Sequence, residues 1–194
     1  MASFDILQWN CKGLRSRAEH LKVLLKETNP GVICLQETQL GQDKFNSGLN
    51  YEILTSNPPV GDRAHGGAAI IMSKSLNYTP LTFNTHLQAI TLKVMLDKPI
   101  TICSVYLPPR SDISITDIQS LIDELPRPFL LLGDFNADNS FWGDDVLDSV
   151  GKIIEDIINA NDIVLLNDDS MTYHNMHFNS YSAIDLSIAY ALQI

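Results

Sequence analysis

Apolar runs of four to seven residues that break off at polar ones recur along this chain. The segments "FDILQWN" and "GVICLQET" read as strands with polar ends. Between them Ala18, Leu21 and Leu25 share one helical face, Ser16 and Glu19 have capping-box spacing, and Asn29-Pro30 ends the pattern, so a helix is predicted there. Strand-like runs follow at "YEILTS", "GAAIIMS", "AITLKVML" and "ITICSVYLPP", punctuated by Gly, Pro or Asp, which predicts hairpins and antiparallel neighbours. A second helix fits "SITDIQSLIDEL", capped by Ser114, with Ile115, Ile118, Ile122 and Leu125 at helical spacing. The run "FLLLGDFNAD" is a core strand whose tip carries Gly133 and then Asp134 and Asn136 two residues apart. A third helix places Val150, Ile153, Ile154, Ile157 and Ile158 on one side, and "IVLLND" and "SAIDLSIAY" read as two last strands.

Strands and helices alternate, yet hairpins intervene, which argues against one all-parallel sheet. Two sheets packed face to face with helices outside, an α/β sandwich, fit the order better. The sequence has no linker, low-complexity tract or short-period repeat, so residues 1–194 are expected to form a single domain, long enough for a substantial core. With 45% apolar and 19% charged residues the composition is that of an ordinary globular protein. No stretch approaches the roughly 20 apolar residues of a membrane span, and "MASFDILQWN" lacks the basic and apolar regions of a signal peptide. Three cysteines, Cys11, Cys34 and Cys103, form no CxxC pair and are odd in number, which suggests free thiols in a reducing compartment. The expectation is an intracellular protein that is neither secreted nor inserted in a membrane.

Charge is unevenly distributed along the chain. The net charge is −10, but residues 1–110 hold 11 Lys and Arg against 8 Asp and Glu, whereas residues 111–194 hold 2 against 15. Lys12, Arg15, Arg17, Lys22 and Lys26 fall within the first 26 positions. A solvated helix face accounts for such a cluster. That is the commoner reading of such a cluster taken alone; the functional one is an anionic partner approaching the N-terminal half, with the acidic half turned away or holding cations.

Several predicted strands end alike: Asn10 closes "LQWN", Glu37 follows "CLQ", Tyr106 stands in "SVYLPP", Asp134 and Asn136 in "LLGDFNAD", and Asp185 between apolar neighbours in "SAIDLSIAY". Taken in order, WN, LQET, YLPP and GDFNA resemble the endonuclease/exonuclease/phosphatase family across the whole chain. "HGGAAIIM", "SVYLPP", "FWGDD" and "SAIDLSIA" look like the apurinic-type endonuclease domain of non-LTR retrotransposons, in particular the jockey-like elements of arthropods. The resemblance implies a four-layer α/β sandwich of the DNase I-like kind, with two mostly antiparallel sheets. It also implies metal-dependent phosphodiester cleavage that nicks DNA for a reverse transcriptase further along a parent polyprotein, and hence nuclear action.

Residue by residue, the resemblance makes Glu37 the acidic metal ligand, with Asn10 beside it positioning phosphate and metal. Tyr106 lies near the scissile phosphate, and Asp134 and Asn136 orient the attacking water and steady the phosphoryl oxygens. Asp185 holds a catalytic histidine in the right tautomer. A hard cation such as Mg²⁺, or Mn²⁺ in its place, suits an oxygen set of Glu37, Asp134 and Asn136. Lys12, Arg15 and Arg17 are the expected DNA contacts. Lys12 stands where some relatives have a second carboxylate, which favours a phosphate contact there over a second metal. The family's closing Ser-Asp-His motif is not found before Ile194, so the chain is expected to lack the last strands and the histidine that Asp185 serves. His65, beside Gly66-Gly67, reads as a loop residue, and His174 and His177 as surface residues. The leading expectation is a DNA endonuclease; a phosphatase or phosphodiesterase of the same superfamily, or an impaired remnant that binds metal or nucleic acid, are the alternatives.

Overall fold

The computed structural model describes residues 4–40, 45–46, 50–56, 66–109, 112–144 and 146–190. In chain order its elements are β1 (Ile6–Asn10), α1 (Ala18–Thr28), β2 (Val32–Gln36), β3 (Tyr51–Thr55), β4 (Ala68–Ser73), β5 (Tyr78–Leu81), β6 (Gln88–Val94) and β7 (Ile100–Tyr106). They continue with α2 (Ile115–Glu124), β8 (Phe129–Asp134), a 3-10 turn at Ser140–Trp142, α3 (Ser149–Ala160), β9 (Ile163–Leu165), β10 (Tyr173–Asn175), β11 (Ser180–Ser182) and β12 (Asp185–Tyr190).

The strands form a four-stranded sheet ordered β1-β2-β4-β3, a six-stranded sheet ordered β5-β6-β7-β8-β12-β9, and the separate hairpin β10-β11. Both large sheets are mainly antiparallel, with one parallel pair each: β1 with β2, and β7 with β8. Each parallel pair is joined through a helix, α1 in the first case and α2 in the second, as a parallel connection requires.

Alternation within β2 shows how the layers arise. Every residue of β2 is buried, because both of its faces are covered. Val32 and Cys34 point into the core between the sheets, with Ile70, Met72, Leu92, Ile102 and Leu132. Ile33 and Leu35 point the other way, onto Leu21 and Leu25 of α1. Beyond the six-stranded sheet, Cys103, Val105, Leu131 and Ile188 meet Ile118, Leu121 and Ile122 of α2 and Ile154 and Ile157 of α3. Helix, sheet, sheet and helices therefore make four layers. The three cysteines are free and buried, and burial pushes the Cys11 and Cys103 thiols up to about 12, so they stay protonated.

One local expectation is corrected, and three strands are added. Ser16 does not cap α1. Its hydroxyl donates to the Gly13 carbonyl (2.8 Å), the helix starts at Ala18 after Arg17, and Glu19 pairs with Lys22 (2.7 Å) instead of reaching back. The turn after β1 claims the hydroxyl that the spacing assigned to the helix. The strand β5 and the hairpin β10-β11 also escape the sequence pattern: β5 is a sheet-edge strand containing Pro80, tolerated there because an edge N–H needs no partner. By contrast Ser114 caps α2 as the spacing indicates, with the Asp117 carboxylate accepting the Ser114 backbone N–H at 2.8 Å.

Gly133 answers to the packing of β7 on β8. It pairs with Val105, and a Cβ at Gly133 would overlap the Val105 carbonyl oxygen. Gly133→Ala is expected to lower unfolding stability by about 3 kcal/mol, since backbone cannot yield as a side chain would. Urea denaturation of the two proteins measures it, and a loss below about 1 kcal/mol would mean that the strands part freely there.

Candidate active site

Parallel pairing fixes where the polar strand ends meet. β1 and β2 run the same way, so Asn10 and Gln36 are register partners and Glu37 follows directly. β7 and β8 likewise bring Tyr106 level with Asp134, and antiparallel β12 starts with Asp185 opposite the same Asp134. All of these ends lie at one rim of the sandwich. They surround a cleft of about 720 Å³ whose lining includes Asn10, Lys12, Glu37, Asp134, Asn136 and Asp185, a size suited to a small ligand or one part of a larger one.

Asn10 is the hinge of the arrangement. Its Nδ2 donates to Glu37 Oε1 at 2.7 Å and to Asp134 Oδ2 at 2.6 Å, so one amide group spaces two carboxylates from opposite sheets. The Asn10 oxygen accepts the Lys12 backbone N–H (3.2 Å). Asp134 Oδ1 accepts the Asn136 backbone N–H (3.0 Å), and Asn136 Nδ2 donates to the Leu107 carbonyl (3.0 Å), leaving the Asn136 oxygen for the cleft. Asp185 receives Gln8 Nε2 at 3.2 Å on its Oδ1.

Three of these residues hold left-handed backbone conformations: Lys12 (φ 45°), Glu37 (φ 48°) and Asn136 (φ 44°). Asn tolerates this region, whereas Lys and Glu adopt it at a cost that surrounding contacts must offset. The Glu37 turn is held from both sides. Gly13 N–H reaches the Glu37 carbonyl (2.8 Å), Leu14 N–H the Thr38 carbonyl (2.9 Å), and Thr38 and Gln39 N–H the carbonyls of Gly67 and Gly66 (3.2 and 2.8 Å). The loop after Asn136 is pinned by Phe141, Trp142 and Asp144. Trp142 is buried and donates to the Ala137 carbonyl (3.2 Å), Asn139 accepts from Phe141 N–H (2.8 Å), and Asp144 accepts from Ala183 N–H (2.8 Å).

Burial and crowding set the electrostatics. Asp134 is 1% exposed. Burial first, then the Asp185 charge, raises its carboxyl to about 7, against the lowering effect of the Asn10 and Asn136 donors. Burial also raises Asp185, which Thr172, Gln8 and Lys12 hold back. The Tyr106 phenol is pushed well above its ordinary range by burial and by Glu37 and Asp134, so it remains a hydrogen-bond donor.

The structure does not treat all expected residues alike. Tyr106 is 7% exposed and packs behind the cleft wall, with its ring close to Gly66, instead of lining the cleft. Lys12 is exposed, with its Nζ 4.5 Å from the centre of the Tyr173 ring. A shallow adjoining groove of about 220 Å³ is lined by Trp9, Asn10, Lys12, Arg17 and His20; Arg15 is exposed on the same turn. His65 lies outside the described residues. His174 and His177 are both exposed, as the sequence indicates, and His174 also lines the cleft from β10, stacked on Tyr181 with ring centres 4.3 Å apart. Gln8, Asn167, Thr172 and Tyr173 are cleft residues that the sequence reading passed over. Gln8 alone had left a signal, as a polar residue two positions before Asn10 on the same strand face. Among the described residues no three His, Cys, Asp or Glu side chains could hold a metal together; of the three cleft carboxylates, Asn10 braces Glu37 and Asp134, and Gln8 braces Asp185.

Comparison with known proteins gives this geometry its class. Residues 100–191 match a family model described as endonuclease-reverse transcriptase. The chain is 30% identical over 156 residues to the RNA-directed DNA polymerase from mobile element jockey of Drosophila melanogaster, across 77% of this chain and 17% of that protein. It is 29% identical over 147 residues to the probable RNA-directed DNA polymerase from transposon X-element of the same species, across 74% of this chain and 16% of that protein. The chain thus spans less than a fifth of these two relatives. Among solved structures, the endonuclease domain of TRAS1, a telomere-specific non-LTR retrotransposon, superposes with a TM-score of 0.78 at 17% identity, over 96% of this chain and 85% of that one. An AP endonuclease from Archaeoglobus fulgidus gives 0.71 at 16% identity, over 96% and 86%. The chain belongs to the endonuclease/exonuclease/phosphatase family. Within it, the chain is an endonuclease domain of the non-LTR retrotransposon kind.

Proposed function

We propose that the chain is a divalent-metal-dependent nuclease that nicks DNA, and that the nick serves a reverse transcriptase in a longer polyprotein that acts in the nucleus. The observation that carries the reading is the convergence of Glu37 and Asp134, from two different sheets, on the single amide of Asn10 at the floor of an open cleft.

The donor set is made of oxygens, which suits Mg²⁺ or Mn²⁺ over softer metals. Glu37 and Asp134 would hold the ion, with the Asn136 oxygen and water completing its shell. Once bound, the cation supplies charge neutralisation to a phosphodiester whose leaving oxygen becomes more negative during in-line attack. The chain's own groups do the rest. In the metal-free chain burial and the Asp185 charge raise Asp134 to about 7; a bound cation would favour its ionised form, which can align the attacking water. The second Asn136 N–H, beside the one given to the Leu107 carbonyl, can donate to a phosphoryl oxygen without adding negative charge, while Asn10 holds Glu37 and Asp134 in place. Asp185 is proposed to orient a histidine supplied from outside the described residues.

Nicking of supercoiled plasmid in Mg²⁺, compared with EDTA, tests the activity. The same protein assayed for phosphate release from phosphomonoesters tests the phosphatase alternative. Mg²⁺-dependent nicking without phosphate release supports the proposal; phosphate release without nicking replaces it, and neither activity leaves the reading of an impaired remnant.

The path of DNA is proposed along the groove from Lys12 to Arg17. Neutralising phosphates releases counterions, and each contact adds about 0.9 to the slope of log affinity against log salt. The Arg15→Ala, Arg17→Ala double variant should bind duplex DNA more weakly, with a slope flatter by about 1 to 2. Fluorescence anisotropy across a salt series measures this, and an unchanged slope would move the DNA off this face.

A further inference from the structure

Side chains of β1 alternate between two environments. Leu7 and Trp9 pack with the core beneath α1, while Ile6 packs in the core between the sheets. Gln8 and Asn10 continue the inward row, so the strand sends one apolar side chain and then two amides toward the opposite sheet. Asn10 serves Glu37 and Asp134. Gln8 serves the next strand along. Its Nε2 donates to the Gly133 carbonyl at 2.8 Å and to Asp185 Oδ1 at 3.2 Å, while its Oε1 lies 3.5 Å from the Ser187 hydroxyl. Gly133 directly precedes Asp134 in β8, and Asp185 faces Asp134 across the β8-β12 pairing. A single side chain thus touches both strands that present the acidic end of the cleft.

Chemistry fixes which way this amide points. A backbone carbonyl and a carboxylate are both acceptors, so only the NH₂ group can face them. Its two hydrogens match the two acceptors, and the Gln8 oxygen is left for the Ser187 hydroxyl. With the donor removed, the Asp185 carboxylate would face Asp134 with one oxygen released, and repulsion between the two would rotate it away.

We propose that Gln8 is a positioning residue: it fixes the Asp185 carboxylate against the β8 backbone and so sets its distance from Asp134. This rests on the endonuclease reading for its consequence in catalysis, while the placement itself is open to a test without turnover. Gln8→Met keeps length and volume but removes both donors. In the full chain it should lower kcat for Mg²⁺-dependent nicking about tenfold and change KM for DNA by less than about threefold, the pattern of an interaction that serves the chemical step. In an Asp185→Ala background the same change should cost nothing further, because Gln8 acts through Asp185. The same fold-loss in both backgrounds, or no loss in either, would reduce Gln8 to a packing element and overturn the proposal. In the spectroscopic arm, the Gln8 side-chain amide protons should shift and lose protection from exchange when Asp185 becomes Ala in the metal-free protein. Signals that stay where they are overturn it, even if the wild-type chain fails to nick. That last result would remove the endonuclease reading and leave the amide signals to decide the placement.

Discussion

Glu37→Gln should abolish most Mg²⁺-dependent nicking while leaving the fold intact. The substitution keeps the shape of the side chain and still offers an oxygen to Asn10 Nδ2, now 2.7 Å from Glu37 Oε1. What it removes is the negative charge. Glu37 is half-buried at a turn held in a left-handed conformation by backbone bonds on both sides, so its side chain is aimed by the main chain and does not depend on its own charge for placement. Loss of one preorganised electrostatic group at a reacting centre typically costs about 10²- to 10³-fold in rate. The expected result is a fall of that size at saturating Mg²⁺, with higher Mg²⁺ needed for half-maximal rate and a melting temperature close to that of the wild type. Plasmid nicking over a Mg²⁺ titration measures both quantities. An unchanged rate and an unchanged metal requirement would exclude Glu37 as a ligand.

Without metal, the protein should lose stability as pH rises from about 4 to about 7. Asp134 carries the effect. Its carboxyl is raised from the ordinary carboxylate value to about 7 in the folded chain, first by burial and then by the Asp185 charge. In that window the unfolded chain has lost the proton and the folded chain keeps it, so the folded state binds more protons and stability falls with rising pH. A shift of this size corresponds to on the order of 4 kcal/mol, at 1.36 kcal/mol per pKa unit, as an upper bound for one group. Asp185 is raised as well, and acts in the same direction. Glu19, Asp117 and Asp168 are lowered by hydrogen bonds to Lys22, Ser114 and Ser170, so their effect is confined to more acid solution. Thermal melts in EDTA are therefore expected to peak near about pH 4 and decline to a low plateau above about pH 7. Mg²⁺ should restore stability at the upper end, where the carboxylates are ionised, and do little at the lower end. Asp134→Asn should flatten the profile and melt higher than the wild type at about pH 8 in EDTA. A wild-type profile that rises across this range would mean that Asp134 is ionised at no cost in the fold.

Much of the architecture is legible in the sequence because burial on two faces leaves a local signature. β2 is apolar at four of its five positions, both helices behind the six-stranded sheet show their apolar side at helical spacing, and the Ser114 cap stands three residues before Asp117. The polar endings at Asn10, Glu37, Asp134, Asn136 and Asp185 are equally visible, since an apolar run that stops at a carboxylate or amide is conspicuous. The hairpin β10-β11 was not visible. Its two three-residue strands are mostly exposed, Met176 and Phe178 at its tip remain largely in solvent, and nothing in their order distinguishes strand from loop. His174 was legible as a surface residue, but its place on the cleft follows from the position of the hairpin and from its stack on Tyr181, not from its neighbours in sequence.

The chain's own order thus reveals the three helices and most of the strands, that two sheets must stack between helical layers, and which side chains stand at the strand ends. Those follow from local periodicity and from the need to bury apolar faces. Tertiary structure decided how these residues meet. Parallel pairing of β1 with β2 and of β7 with β8 brought the ends to one rim, and the facing of the sheets let Asn10 span Glu37 and Asp134. It also turned Ser16 to Gly13 and set Tyr106 behind the cleft wall. Gln8 shows the division most clearly: its partners Gly133 and Asp185 lie 125 and 177 residues away in sequence. Contacts of that separation depend on register across the sheet interface, and no local pattern in the chain encodes it.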